Sequence, residues 1–360
     1  MIGIITNPNA LGLVRDKTLA RRLGEIVGPL GVVFETRTPE ELRDAVRELH
    51  ARQVDIVATC GGDGTNLSTL TEMVRVWQGN PASPAAAAAA SASGRPGNGV
   101  PPRNPHSASD AWVSPSPASA STPGSASAAG ARAASLPQFG ILRGGTVNTV
   151  ANNLAVRGHP EEILERLVAR IRSGRQVPSA PLDLLRVGGM YGFLFGAAMP
   201  GRFFEAYYGG PTTGMAWAGA LAARTLASGI ARGPFARWLF DPIEIEITVD
   251  GVTLPTRHFT LIVAATVRNV GIGVKVTYRA GQRPGRFHLV ASSLPASRMV
   301  VQAARVFGGR PLKGQPHTDV LAARARLRFA EPQTYTLDGD LFRASEVELA
   351  CGPRLDILTP

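Results

Sequence analysis

The chain has 360 residues, 44% of them hydrophobic, and a formal charge of +11. That size and apolar content predict about two packed domains, and the positive excess favours anionic partners: nucleotide phosphates, an anionic membrane surface or nucleic acid. Aromatic residues make up only 6% and are not interleaved with basic clusters, which argues against nucleic acid. Two cysteines, Cys60 and Cys351, cannot build a disulfide framework, and the scattered histidines lack zinc-ligand spacing.

The opening MIGIITNPN has no basic leader and no cleavage site; it reads as a strand ended by Asn7-Pro8. DKTLARRLGEIVGPLG then carries Leu19, Leu23 and Ile26 at helical spacing and stops near Gly28 or Gly31. VVFETR is a second strand. TPEELRDAVRELHAR is a helix with Thr38 as cap and Pro39 at its first position. VDIVATC is a third strand, and NLSTLTEMVRVW a helix that starts directly after GGDGT. This alternation predicts a parallel α/β domain.

From residue 80 to 135 the chain becomes Ala, Ser, Pro and Gly, too poor in apolar surface to offset its ordering entropy, and a disordered insertion is expected. FGIL, Phe139 to Leu142, resumes as a strand, followed by RGGTVN and a helix. HPEEILERLVARIRSGR is a further amphipathic helix through Ile163, Leu167 and Ile171. Beyond it strands dominate, interrupted by helical stretches near 202–239 and 296–307. Within the first stretch, Gly214 to Ala231 is rich in Ala and Gly and contains Arg224, which disfavours a membrane-spanning helix but allows one lying on a membrane.

Three short stretches carry chemistry. In CGGDGTN a strand feeds a glycine loop that opens a helix, which gathers backbone N–H groups into an anion site. Asp63 within that loop would repel phosphate unless a cation or a hydroxyl proton stood between them; the alternative is a tight turn in which Asp63 caps the helix. GGTVN, Gly144 to Asn148, repeats the arrangement after the next strand, so two glycine loops would flank one crevice. Neither loop is a Walker or dinucleotide fingerprint. TLDGD, with Asp338 and Asp340, reads by itself as a hairpin turn.

Together, GGDGT, GTVN and the later DGD resemble the diacylglycerol kinase catalytic-domain family, which includes bacterial lipid kinases and sphingosine kinases and is more distantly similar to NAD kinases and phosphofructokinases. The resemblance implies an α/β fold: an N-terminal parallel three-layer domain, residues 1–175 with the insertion 80–135, completed by residues 345–360. A mostly antiparallel β-sandwich lipid-substrate domain would span 176–344, with nucleotide in the cleft between. It implies ATP and Mg²⁺ as cofactors. Gly61, Gly62, Asp63, Gly64, Thr65 and Asn66 would cradle the phosphates and metal. Gly145, Thr146 and Asn148 would line the opposite side, with Asn7 and Thr36 near the nucleotide. Asp340, supported by Asp338, would take the proton of a lipid hydroxyl.

The chain departs from the family pattern at several points. Ser68 stands where the family has Glu, Arg143 where it has Pro, Thr149 where it has a second acid, and Phe195 where a strand Asn is common. Asp340 replaces the usual Glu and is one methylene shorter. The acids that hold a structural Mg²⁺ in bacterial members fall at Pro284 and His288, so that metal is expected to be missing. The expectation is a cytoplasmic ATP-dependent lipid kinase at the inner face of a membrane, with no nucleic-acid partner and a homodimer left open. A non-catalytic nucleotide- or lipid-binding protein and a soluble NAD kinase-like enzyme are the alternatives.

Overall fold

The computed structural model describes residues 1–79, 135–145, 148–212, 214–314 and 316–360. Apart from Ser135, the insertion expected over 80–135 therefore lies outside the described residues, as does Thr146.

The N-terminal part is built on β1 (Ile2–Thr6), β2 (Gly31–Glu35), β3 (Ile56–Cys60) and β4 (Gln138–Ile141), all parallel, in the order β2-β1-β3-β4. Both β1 and β3 are buried at every residue. Their continuous apolar runs suit strands covered on both faces. Helices 39–51 and 63–78 pack together, as do helices 19–27 and 160–172. Right-handed crossovers put the two pairs on opposite faces of the sheet, because the chain moves one way from β1 to β2 and the other way from β2 to β4. The strand order reverses around β1, which leaves a crevice beyond the carboxyl ends of β1 and β3. Helix 39–51 starts as its sequence predicts. Thr38 accepts from the Glu41 amide at 3.2 Å, and the Glu41 carboxylate accepts from the Thr38 amide at 3.3 Å.

The remaining strands are β5 (Ser179–Val187), β6 (Met190–Gly192), β7 (Leu194–Ala198), β8 (Ile243–Val249), β9 (Val252–Thr253), β10 (His258–Phe259), β11 (Leu261–Ala265), β12 (Phe287–Ser292), β13 (His317–Ala322), β14 (Arg324–Leu337) and β15 (Asp340–Leu358). They pair antiparallel with one another. The long strand β14 pairs with β8 along Ala325–Phe329 and with β7 along Tyr335–Leu337. A second core, including Phe195, Ile245, Phe287, Leu327 and Leu349, forms among these strands and is separate from the core around Leu23, Leu49, Leu70 and Phe139. β15 joins the two parts. It runs antiparallel to β14 and β5, and near its end Ile357 lies opposite Phe139 in a parallel pairing with β4. Among the described residues the order along the main path is β13-β12-β11-β7-β14-β15-β4-β3-β1-β2.

Two strand readings change. MYGFLFGAA reads as one strand, but it breaks at Phe193, whose amide leaves the ladder for Asp338. ARLRFA and YTLDGD read as two strands, but ARLRFA and the Tyr335–Leu337 part of YTLDGD belong to one strand, β14, which steps irregularly between Arg328 and Gln333. Pro332 falls in that step, and a residue that cannot donate to the ladder suits an irregularity better than a regular pairing. Helix 11–15 has no sequence signal, because five residues are too few to show a period.

Candidate functional site

At the carboxyl end of β3, Gly62 precedes a helix spanning Asp63–Gln78 that has no side-chain cap. The Thr65 and Asn66 amides turn back to the Gly62 carbonyl at 3.0 and 3.1 Å. An uncapped helix start preceded by two glycines presents amides to whatever occupies the crevice. The second glycine loop packs on this one backbone to backbone. A Cβ on Gly145 would lie 2.4 Å from the Gly62 Cα, and one on Gly144 would lie 2.7 Å from the Gly61 nitrogen. The glycines are thus required by the close approach of the two loops. Gly12 contributes a third strand of contact, donating to the Gly144 carbonyl at 3.2 Å.

Asn7 and Thr36 arrive at the same edge of the sheet. The Asn7 amide donates to the Cys60 carbonyl at 3.1 Å, and its side chain donates to Thr65 Oγ1 at 3.2 Å. Thr36 follows β2, is buried, and donates its amide to the Thr6 carbonyl at 2.9 Å. Asn66 is buried beneath the loop and accepts from Thr59 Oγ1 at 2.6 Å, while its Nδ2 has no partner. Asn148 sits in the left-handed region at φ +49° and is bound to its own loop: Oδ1 accepts from the Gly145 amide at 3.3 Å, and Nδ2 donates to the Gly145 carbonyl at 2.7 Å.

Asp63 is turned towards the second loop. Both carboxylate oxygens accept from the Thr149 amide at 3.1 Å. Desolvation by the surrounding protein raises its pKa to about 6, against the hydrogen bonds from Thr149 that lower it. Thr149, standing where the resembling family has an acid, reaches Asp63 through its backbone amide, a donor that any residue but proline supplies. Sequence reading gave it no role, and only the contact across 86 residues reveals one.

The third element is the hairpin joining β14 to β15. Asp338 and Gly339 form its two-residue turn, with φ values of +49° and +96°, the conformation of a type I′ hairpin turn. Asp338 is buried, and its Oδ1 accepts from the Phe193 amide at 3.1 Å and the Leu194 amide at 2.8 Å. Burial raises its pKa to about 8, the charges of Asp63 and Asp340 act in the same direction, and the two amides oppose them. Asp340 opens β15 and lies against the helix start: a Cβ on Gly64 would be 2.7 Å from Asp340 Oδ2. The structure thus brings Asp63, Gly64, Asp338 and Asp340 to one place from segments more than 270 residues apart in the sequence.

Among the departures, Arg143 donates to Asn152 Oδ1 at 2.8 Å and the Val156 carbonyl at 2.7 Å. Ser68 is exposed, and Phe195 is core. His288 is fully buried; its Nε2 meets Asp319 Oδ1 at 2.8 Å and its Nδ1 accepts from the Arg279 amide at 3.3 Å. Among the described residues, no group of three His, Cys, Asp or Glu is placed to hold a metal ion.

Residues 1–88 match the family model of the diacylglycerol kinase catalytic domain. Over its whole length the chain is similar in fold to a diacylglycerol kinase from Bacillus anthracis strain Sterne, with 14% identity, a TM-score of 0.55, and 100% of this chain and 96% of that one covered. A candidate diacylglycerol kinase from the same strain gives 12% identity and a TM-score of 0.60, covering 100% of this chain and 96% of its own. No curated protein sequence matches the chain. At these identities the structural likeness concerns the fold.

Proposed function

We propose that this chain, whose first 88 residues match the diacylglycerol kinase catalytic domain, is an ATP-dependent kinase that phosphorylates a lipid hydroxyl. The observation that carries the reading is the contact of Asp340 with Gly64. It sets a carboxylate against the opening of a glycine-rich helix start, so an acceptor for a hydroxyl proton and donors for phosphate share one crevice.

The residues fit a nucleotide. The uncapped start of helix 63–78 offers amides for phosphate oxygens, and the absence of side chains on both glycine loops leaves them reachable. Asp63 and Asp340 supply acid to the same crevice, which suits phosphates accompanied by magnesium. Magnesium usually keeps several waters and takes one or two carboxylates together with substrate phosphates, so it needs no three-residue protein cage. When bound, it would neutralise charge on the phosphates.

Asp340 takes the proton of the attacking hydroxyl in this scheme. Asp338, held at about 8, keeps its own proton near neutral pH. The hairpin tip therefore does not carry two adjacent charges, and Asp338 anchors the turn through the Phe193 and Leu194 amides. The acceptor is a diacylglycerol- or sphingoid-like lipid, met at the cytoplasmic face of a membrane where ATP is available. None of the helices in the described residues is long and apolar enough to cross a membrane.

The test is purified protein with radiolabelled ATP, Mg²⁺ and a total lipid extract. A labelled phospholipid is the expected product. Bound ATP with no labelled lipid would instead indicate a non-catalytic binding protein, and labelled NADP from added NAD a soluble NAD kinase-like enzyme.

A further inference from the structure

The arginines of this chain are distributed in two very different ways. Of the eight arginines in residues 1–79, all except Arg15 form ion pairs among the described residues. Residues 199–240 and 295–314 contain eight arginines and lysines against one acid, Glu205. Of these eight, only Arg202 is in an ion pair among the described residues, with Asp241. These two segments form one helical layer: helix 215–230 packs on helices 199–208, 234–239 and 296–300. Basic residues thus exceed acids more on this layer than over residues 143–186, where seven arginines outside ion pairs among the described residues are accompanied by four acids.

The same layer exposes large apolar side chains. Ile230 and Val301 are each 76% exposed, and Trp238 is 43% exposed. Ile230 and Val301 each follow a residue of one close contact, since a Cβ on Gly229 would fall 2.2 Å from Val300 Cγ2. They therefore lie at the same end of the layer. Arg224 stacks over Phe235 at 4.2 Å, beside an apolar recess of about 390 Å³ that Trp217, Leu221 and Trp238 also line.

We propose that this helical layer docks the protein on an anionic phospholipid bilayer. Arginine with exposed isoleucine, valine and tryptophan is the composition of an interfacial membrane surface, where the apolar groups enter the headgroup region and the cations meet lipid phosphates. A nucleic acid would satisfy the charge and leave the apolar side chains in water, and an acidic protein would need a matching apolar face of its own to cover them. The layer is tied to the candidate site. Tyr208, at the end of helix 199–208, donates its hydroxyl to the Gly339 carbonyl at 2.9 Å, in the turn between Asp338 and Asp340. Docking would therefore act on the same helical layer that braces this turn. The use of that connection in phosphorylating a lipid rests on the kinase reading; the docking itself does not.

Sedimentation of the full chain with vesicles tests the proposal, comparing phosphatidylcholine alone with an equal mixture of phosphatidylcholine and phosphatidylglycerol. Binding to the mixed vesicles, weak binding to neutral ones, and loss at high salt are expected. Each arginine near an anionic leaflet contributes about fivefold in partitioning, so the triple variant Arg232→Gln/Arg237→Gln/Arg298→Gln should bind on the order of 100-fold more weakly. Ile230→Ser/Trp238→Ser should weaken binding without changing its salt dependence. Both variants are checked for unchanged circular dichroism and melting temperature. Equal binding to both vesicle types, undiminished binding by the triple variant, or preference for polyuridylate over mixed vesicles would each overturn the surface. Asp340→Asn should bind vesicles as the wild type does. Vesicle binding with no lipid phosphorylation would sink the kinase reading and leave the docking surface standing.

Discussion

Asp340 occupies the space into which a side chain at position 64 would grow, with Oδ2 only 2.7 Å from where a Cβ on Gly64 would stand. Asp340→Asn should lower turnover by about 10²- to 10⁴-fold, the range for loss of a general base, with nucleotide affinity nearly unchanged. Gly64→Ala lies inside a helix, where alanine is intrinsically the better residue. A loss of turnover in that variant with nucleotide affinity unchanged therefore comes from displacing Asp340. Steady-state kinetics on both variants decide this, and full activity in Asp340→Asn would remove the assignment.

Gly145→Ala should separate the two glycine loops. Its new Cβ would meet the Gly62 Cα at 2.4 Å, and both sides of the contact are backbone. The expected outcome is weaker nucleotide binding, on the order of tenfold or more, with a lowered melting temperature. Calorimetric titration with ATP measures the first and thermal unfolding the second. Unchanged affinity would show that the close approach of the loops does not shape the binding surface.

Asp338 sets a pH dependence of stability. Its folded value of about 8 lies above its ordinary 3.8, because burial and then the charge of Asp63 disfavour ionisation. The folded protein keeps a proton that the unfolded chain releases above that ordinary value. The contribution is complete below pH 3.8 and declines as pH rises towards about 8. Asp63, raised to about 6 chiefly by desolvation, acts with the same sign over a narrower span. Asp338→Asn cannot ionise and keeps an oxygen for the Phe193 and Leu194 amides. Its melting temperature should therefore rise relative to the wild type as pH increases from 5 to 8, by an amount reflecting about 1 kcal/mol or more. A gap independent of pH would contradict this.

His288→Leu should cost about 1–3 kcal/mol in urea unfolding, because it takes a hydrogen-bond partner from Asp319 and leaves the Arg279 amide without its acceptor. Burial alone would raise the Asp319 pKa, but hydrogen bonds from His288 and Tyr278 outweigh it and hold the value below 3.8. Stability from that pairing is present above pH 3.8 and lost as pH falls further, so the deficit of the variant should narrow in acid.

Much of the parallel sheet is legible in the sequence because its signals are local. Thr38, Pro39 and Glu41 mark a helix start within four residues, and IVATC followed by Gly-Gly-Asp-Gly marks a buried strand and a loop. The glycine loops are legible for the same reason. What joins them is not. The Asp63–Thr149 and Asp338–Phe193 contacts span 86 and 145 residues, and no periodicity or spacing encodes which amide a carboxylate will find. DGD reads as an ordinary turn, and its chemistry exists only because the fold carries that turn to Gly64. The continuity of β14 through Pro332 is similarly invisible, since a proline in a run of alternating residues reads as an end.

β15 has a bearing on how the site keeps its dimensions. Its first residue is Asp340, and its penultimate residue, Ile357, pairs with Phe139 in the strand that leads to Gly144. One continuous backbone thus begins at the acid and ends beside the strand that feeds the second glycine loop, tying the two sides of the crevice together. Its register shifts between Cys351 and Arg354, where a bulge bends a strand. Inserting one residue midway along β15 would turn its remaining side chains to the opposite face. Inserting two would restore the face and slide the Ile357 end along β4 by about 7 Å.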